Sequence, residues 1–170
     1  MSATRIIPRP ISATKQEGER FVIDGSTVVV NEAGADCSRL AKIGAQELSD
    51  ISGVPIDVET SLDDAGTDGP IRFIISDHPS IPSGKEAYVV TASKAEVLLL
   101  ARHRKGLVRA LTTFLNLVQF DEDSVAYVDP VIVEDAPRFR WRGLSLDVAR
   151  SFFPVAEVKQ VIDLLARYKM

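Results

Sequence analysis

Pro137-Arg138-Phe139-Arg140-Trp141-Arg142-Gly143-Leu144-Ser145-Leu146-Asp147-Val148-Ala149-Arg150-Ser151-Phe152-Phe153-Pro154 is the stretch from which the rest of the chain can be read. Side chains alternate across a strand, so Leu144, Leu146 and Val148 share one face and Gly143, Ser145 and Asp147 the other. One face is apolar and the other small and polar. From Pro154 to Met170 the period changes. Val155, Val158, Val161, Ile162 and Leu165 form a helical stripe that Tyr168 continues. A strand over residues 143–148 followed by a helix over residues 154–170 is a β/α unit.

Upstream, short strands alternate with two long helices. Phe21-Val22-Ile23-Asp24 and Thr27-Val28-Val29-Val30 flank Gly25-Ser26, a link that suits a hairpin or a sharp bend. Residues 36–52 carry Cys37, Leu40, Ile43, Leu48 and Ile51 mostly at helical spacing, and Gly53 supplies a stop. Residues 54–60, 71–76, 88–91 and 96–101 read as strands, with a polar turn-forming loop over residues 63–70. Residues 104–119 predict the second helix. Leu107, Leu111, Phe114, Leu115 and Val118 line one face, while Val108 and Leu117 lie away from it. A helix apolar on more than one side packs against more than one layer. Asp121-Glu122-Asp123 and residues 129–135 read as an acidic connection. The domain boundary falls near Asp135, where Pro137 discourages continued regular structure.

The 170 residues suffice for one domain and a little more. Hydrophobic content of 45% and charged content of 26% are ordinary for a soluble globular protein. A net charge of −4 argues against nucleic-acid binding, which needs clustered Lys and Arg. Cys37 stands alone, so no internal disulfide forms. His78 and His103 are too few and too scattered for zinc, and no metal or cofactor is expected. No apolar run approaches the roughly 20 residues that cross a bilayer. The opening residues lack the apolar core of a signal peptide, which reads as cytoplasmic, an exported parent with its leader removed being the alternative.

The block over residues 137–152 resembles the P-R-F-x-x-R-G-x-x-L-D-x-x-R-x-[FY] opening of the catalytic barrel in glycoside hydrolase family 20, the β-N-acetylhexosaminidases. Arg5-Ile6-Ile7-Pro8-Arg9-Pro10, Glu86-Ala87-Tyr88 and the run from Gly106 through Thr113 are similar to landmarks of the domain that precedes that barrel. The resemblance implies an α+β fold: a small, mostly antiparallel sheet with two long helices on one face (1–135). It is followed by the first strand and helix of a truncated TIM barrel (136–170). In the family the next strand carries a His- and Asp-containing run, and the chain stops just before it.

The resemblance also assigns roles. Arg150 would hydrogen-bond sugar hydroxyls in the subsite of the terminal residue, a task suited to the fixed fork of guanidinium donors. It would stand at the C-terminal end of its strand, where barrel active sites lie. The plainer reading is a surface Arg paired with Asp147 or an acidic neighbour. Asp147, pointing inward, would support the site through an ion pair with Arg142 or Arg150. The family's catalytic Asp-Glu pair belongs to a later strand, so Asp121-Glu122 is read as solvated loop acids and no catalytic residue is assigned. Trp141 and Tyr168 are read as packing residues rather than sugar-stacking aromatics, and His78 as exposed. Ser151 departs from the His common at that position in the family, which bears on fine substrate contacts.

Three readings compete. The leading one is an inactive fragment of an enzyme whose parent removes terminal β-linked N-acetylhexosamine from glycans. The second is a stand-alone carbohydrate-binding or interaction module, which would need exposed aromatics on one sheet face. The third, the preceding domain of another glycosidase family acting on N-acetylglucosamine, is disfavoured by the block over residues 137–152. Deprived of barrel neighbours, residues 139–170 are expected to drive self-association or to be poorly ordered. Neither nucleic acid nor membrane is an expected partner.

Overall fold

The computed structural model describes residues 6–25, 27–31, 33–59 and 69–170. Arg5 and residues 60–68, most of the polar loop read from the sequence, lie outside them. The chain enters through β1 (Ser12–Lys15), β2 (Phe21–Ile23) and β3 (Val28–Asn31). A 3-10 turn, Ala35–Cys37, leads into α1 (Ser38–Ser52). Next come β4 (Asp57–Glu59), β5 (Pro70–Ile75), β6 (Tyr88–Ala92), β7 (Val97–Ala101) and α2 (Arg104–Leu117). After them run β8 (Gln119–Phe120), β9 (Ala126–Val128), β10 (Val131–Asp135) and α3 (Val155–Arg167).

The fold is α+β. The main sheet has seven strands in the order β1-β10-β6-β7-β5-β3-β4, and β2-β9-β8 form a small second sheet. The main sheet is evenly mixed rather than mostly antiparallel. β3 runs parallel to β4 and β5, and β5 parallel to β7. The other pairings, β1 with β10, β10 with β6 and β6 with β7, are antiparallel. Connection length explains the split. The turn after Ala92 can only reverse the chain, whereas α1 carries it from β3 back to a parallel neighbour. Phe21–Ile23 and Val28–Asn31 do not pair as a hairpin. They enter different sheets through a sharp bend, closed by the Thr27 N–H donating to the Asp24 carbonyl at 3.0 Å.

Alternation along the strands puts Ile71, Phe73, Tyr88, Val90, Val97, Leu99, Val131 and Val133 in one core with Leu48 of α1 and Leu107, Leu111 and Phe114 of α2. Each such side chain contributes about 1.5–3 kcal/mol by leaving water. Both helices thus lie on one sheet face. Gly106 lets α2 start hard against the sheet, since a Cβ there would strike the Ala87 carbonyl oxygen and the Ala101 methyl. α1 ends at Gly53, whose φ of 76° is the left-handed conformation glycine adopts without strain. The opposite sheet face carries a small cluster of Ile81, Ala87 and Val89.

Three readings of the C-terminal third need correction. Residues 129–135 are not merely an acidic connection: Val131–Asp135 is a strand between β1 and β6. Residues 143–148 form no strand ladder, because a strand exists only with neighbours to pair with and none of the described strands pairs with them. Trp141, read as a packing residue, is 93% exposed, and Tyr168 is also exposed. α3 forms as the stripe predicts, yet Val155 and Ile162 face solvent and no residue of the helix is buried.

Candidate functional site

Arg150 lies in the exposed turn between residues 143 and 154. Its side chain is 91% exposed, and its Nε stands 3.6 Å from Asp147 Oδ2. Asp147 shapes that turn: its Oδ1 accepts the N–H groups of Ala149 at 2.9 Å and Arg150 at 3.1 Å. Such an Asp side chain imitates a backbone turn. Asp147 is itself exposed and pairs with Arg150, not with Arg142.

Arg142 faces the α+β domain. Its Nη2 donates to Glu86 Oε2 at 2.6 Å, its Nε to the Lys169 carbonyl at 2.8 Å and its Nη1 to the Phe139 carbonyl at 2.5 Å. Arg109 Nε, from α2, reaches the same Glu86 oxygen at 2.8 Å. Burial alone would push the Glu86 carboxyl up, but hydrogen bonds and charge from Arg109 and Arg142 outweigh it and hold the carboxyl below its ordinary value.

Beneath this clamp sits a buried polar cluster. Lys169 Nζ donates to Tyr88 Oη at 2.7 Å and to Asp135 Oδ2 at 3.3 Å. Tyr88 Oη donates to the same Asp135 oxygen at 2.7 Å and lies 2.7 Å from Thr113 Oγ1. With its one proton committed to Asp135, the phenol accepts from Thr113 and Lys169. Asp135 Oδ1 accepts the Ile11 N–H at 3.2 Å. Burial lowers the Lys169 pKa against the opposing pull of Asp135, and burial together with the Asp135 charge pushes the Tyr88 phenol up.

The arrangement separates two tasks. An exposed guanidinium on a turn can offer donors to a ligand, while the clamp and the cluster beneath it hold the segment that carries the turn. Among the described residues no group of His, Cys, Asp and Glu is placed to hold a metal ion. Asp121 is committed locally: its carboxylate takes the N–H groups of Val125 and Asp123 and pairs with Arg20 at 2.6 Å. These bonds, the Val125 N–H first, hold its pKa low. Glu122 beside it is exposed. His78 is exposed, its Nδ1 2.7 Å from Ser80 Oγ. A cleft of ~640 Å³ between α1, α2 and α3, lined in part by Glu47, Ile51, Leu115 and Arg167, is not the place where Arg150 stands.

Sequence reasoning missed Lys169 and Asp135. The sequence held one signal for Lys169: counted from Leu165 it falls at i+4, on the apolar stripe, where a cation is out of place. Asp135 gave none, being one of a run of loop-like acids.

Residues 3–136 match Glycosyl hydrolase family 20, domain 2, and residues 139–170 match Glycosyl hydrolase family 20, catalytic domain. A β-N-acetylhexosaminidase of Cellulomonas fimi is 36% identical over 170 residues, all of this chain and 34% of that protein. The chain therefore spans about a third of the length of this curated relative. The structure of the GH20 β-N-acetylhexosaminidase from Streptomyces coelicolor A3(2) superposes with a TM-score of 0.82 at 27% identity, over 99% of this chain and 34% of that one. That of the GH20 exo-β-N-acetylglucosaminidase of Vibrio harveyi in complex with N-acetylglucosamine gives 0.79 at 27% identity, over 99% of this chain and 25% of that one.

Proposed function

The chain belongs to glycosyl hydrolase family 20, and from that membership we propose that it is part of a β-N-acetylhexosaminidase releasing terminal β-linked N-acetylhexosamine from glycans. In this reading residues 1–135 are the non-catalytic α+β domain. Residues 136–170 are the first strand and helix of the (β/α)8 catalytic barrel, with residues 143–148 pairing once neighbouring strands are present. The observation that carries the reading is the match to a named β-N-acetylhexosaminidase along all 170 residues, spanning both domains. It disfavours a stand-alone binding module.

Arg150 would meet the hydroxyls of the terminal sugar, with Asp147 and Arg142 supporting the turn. The reaction would be substrate-assisted: the oxygen of the 2-acetamido group attacks the anomeric carbon while a Glu protonates the leaving oxygen, and water then opens the intermediate with net retention. No metal or cofactor enters the scheme. The chain's one Asp-Glu pair, Asp121-Glu122, lies in a charged loop where Asp121 is taken up by Arg20 and backbone N–H groups, and in this reading these 170 residues alone are inactive. The test compares the longer protein with this chain on a chromogenic N-acetyl-β-glucosaminide. The longer protein should release the sugar first as its β-anomer, seen by NMR, and the chain should release none. An α-anomer first, or turnover by the chain that disappears in Glu122→Gln, contradicts the reading.

We propose also that the isolated chain self-associates through residues 139–170. The support is the apolar surface they present: Phe139 is 71% exposed, Phe152 87% and Val155 71%.

A further inference from the structure

We infer that Lys169 is a positioning residue, a buried cationic pin that fixes residues 136–170, and with them Arg150, on the α+β domain. Arg150's importance rests on the reading above; the pin itself does not. From Ala136 onward Lys169 is the one buried residue, at 4% exposure. No residue of α3 is fully buried, and its apolar stripe is only half-buried at Val158, Val161 and Leu165, so apolar packing accounts for only part of why it lies where it does. Lysine is almost never fully buried unless paired. Here the ammonium reaches Asp135 and Tyr88 and also lies 5.2 Å from the centre of the Tyr88 ring.

The backbone gives a second, independent sign. α3 closes with the Lys169 N–H on the Ala166 carbonyl at 3.0 Å and the Met170 N–H on the Leu165 carbonyl at 2.8 Å. In that helix ending the residue at the Lys169 position is left-handed and is usually glycine. Lys169 adopts it with a φ of 62°. A lysine held there against its preference is explained by what its side chain reaches. The clamp completes the geometry. Arg142 donates to the Lys169 carbonyl and to Glu86, so the two ends of the segment meet at one point on the domain, and Arg150 lies on the loop between them.

Hydrogen exchange read by mass spectrometry on this chain tests the pin with Lys169→Gly. If Lys169 were only a helix ending, glycine would relieve the backbone and raise the protection of α3. If it is a pin, α3 amides should lose protection by about a hundredfold, while those of β5 to β7 stay unchanged. Equal or greater protection in the variant, or an unprotected α3 in the parent chain, overturns the inference. Should the lone Asp135 left behind unsettle the domain, Asp135→Asn/Lys169→Met removes both charges. α3 must still exchange fast in it, and a protected α3 there also overturns the pin. In the longer protein the positioning role requires Lys169→Gly to lower kcat more than it raises KM, with Lys169→Arg recovering part of the loss. Unchanged hydrolysis despite lost protection overturns that half. A parent protein that does not hydrolyse the glycoside overturns the functional reading instead, and leaves the exchange result to judge the pin.

Discussion

Glu86 holds two guanidinium groups on a single carboxylate oxygen and joins α2 to the segment that carries Arg150. Its folded-state pKa is depressed despite burial, by Arg109 and Arg142. The stability it contributes is therefore present above its ordinary value of 4.5 and is lost as pH falls through the lower folded value. Urea titrations at pH 7 and pH 3 should show the parent chain losing more stability on acidification than Glu86→Gln. An equal loss would mean that the clamp is electrostatically idle. Arg150 is the contrasting residue. Its side chain is 91% exposed and its ion pair is with the exposed Asp147, so Arg150→Ala should leave the unfolding midpoint of this chain unchanged. A clear drop would show that the turn is held by that pair. Strand alternation turned Asp147 inward, and the structure leaves it exposed; only its pairing with Arg150, three residues on, was legible. Lys169 was not, because a penultimate lysine reads as solvated until the fold brings Tyr88 and Asp135 to it.

At the scale of elements, periodicity did most of the work. α1, α2 and α3 were visible through their apolar stripes, and β5 to β7 through apolar runs bounded by turn residues. β10 was hidden because acids flank Val131-Ile132-Val133, and pairing with β1 and β6 overrides the local charge. The parallel pairings were hidden for another reason: strand direction depends on which strand a crossover returns to, and no local pattern encodes that. Gly106 shows how closely the elements meet. Gly106→Ala forces a methyl against the Ala87 carbonyl and Ala101, and the overpacking should cost about 1–3 kcal/mol. Thermal unfolding should report a lowered midpoint. An unchanged midpoint would mean that α2 can slide away from the sheet at no cost.

For the whole molecule the question is what covers residues 139–170. Phe139, Trp141, Phe152 and Val155 are each at least 71% exposed, and no residue of α3 is fully buried. Apolar surface on that scale favours association. Sedimentation velocity should show a concentration-dependent shift from monomer toward dimer, weakened by Trp141→Ser/Phe152→Ser. A strictly monomeric parent chain at high concentration would show that this surface tolerates water. In the proposed full-length enzyme the barrel covers it, and the turn bearing Arg150 becomes the rim of a pocket. Steady-state kinetics of that longer protein carrying Arg150→Ala, on a chromogenic N-acetyl-β-glucosaminide, bear most directly on whether this chain contributes to a glycosidase site. Hydrogen bonds from a charged group contribute about 1.5–3 kcal/mol, so kcat and kcat/KM should both fall roughly 10- to 100-fold with the circular dichroism spectrum unchanged. Normal kinetics in a folded variant would contradict the account and leave Arg150 a surface charge.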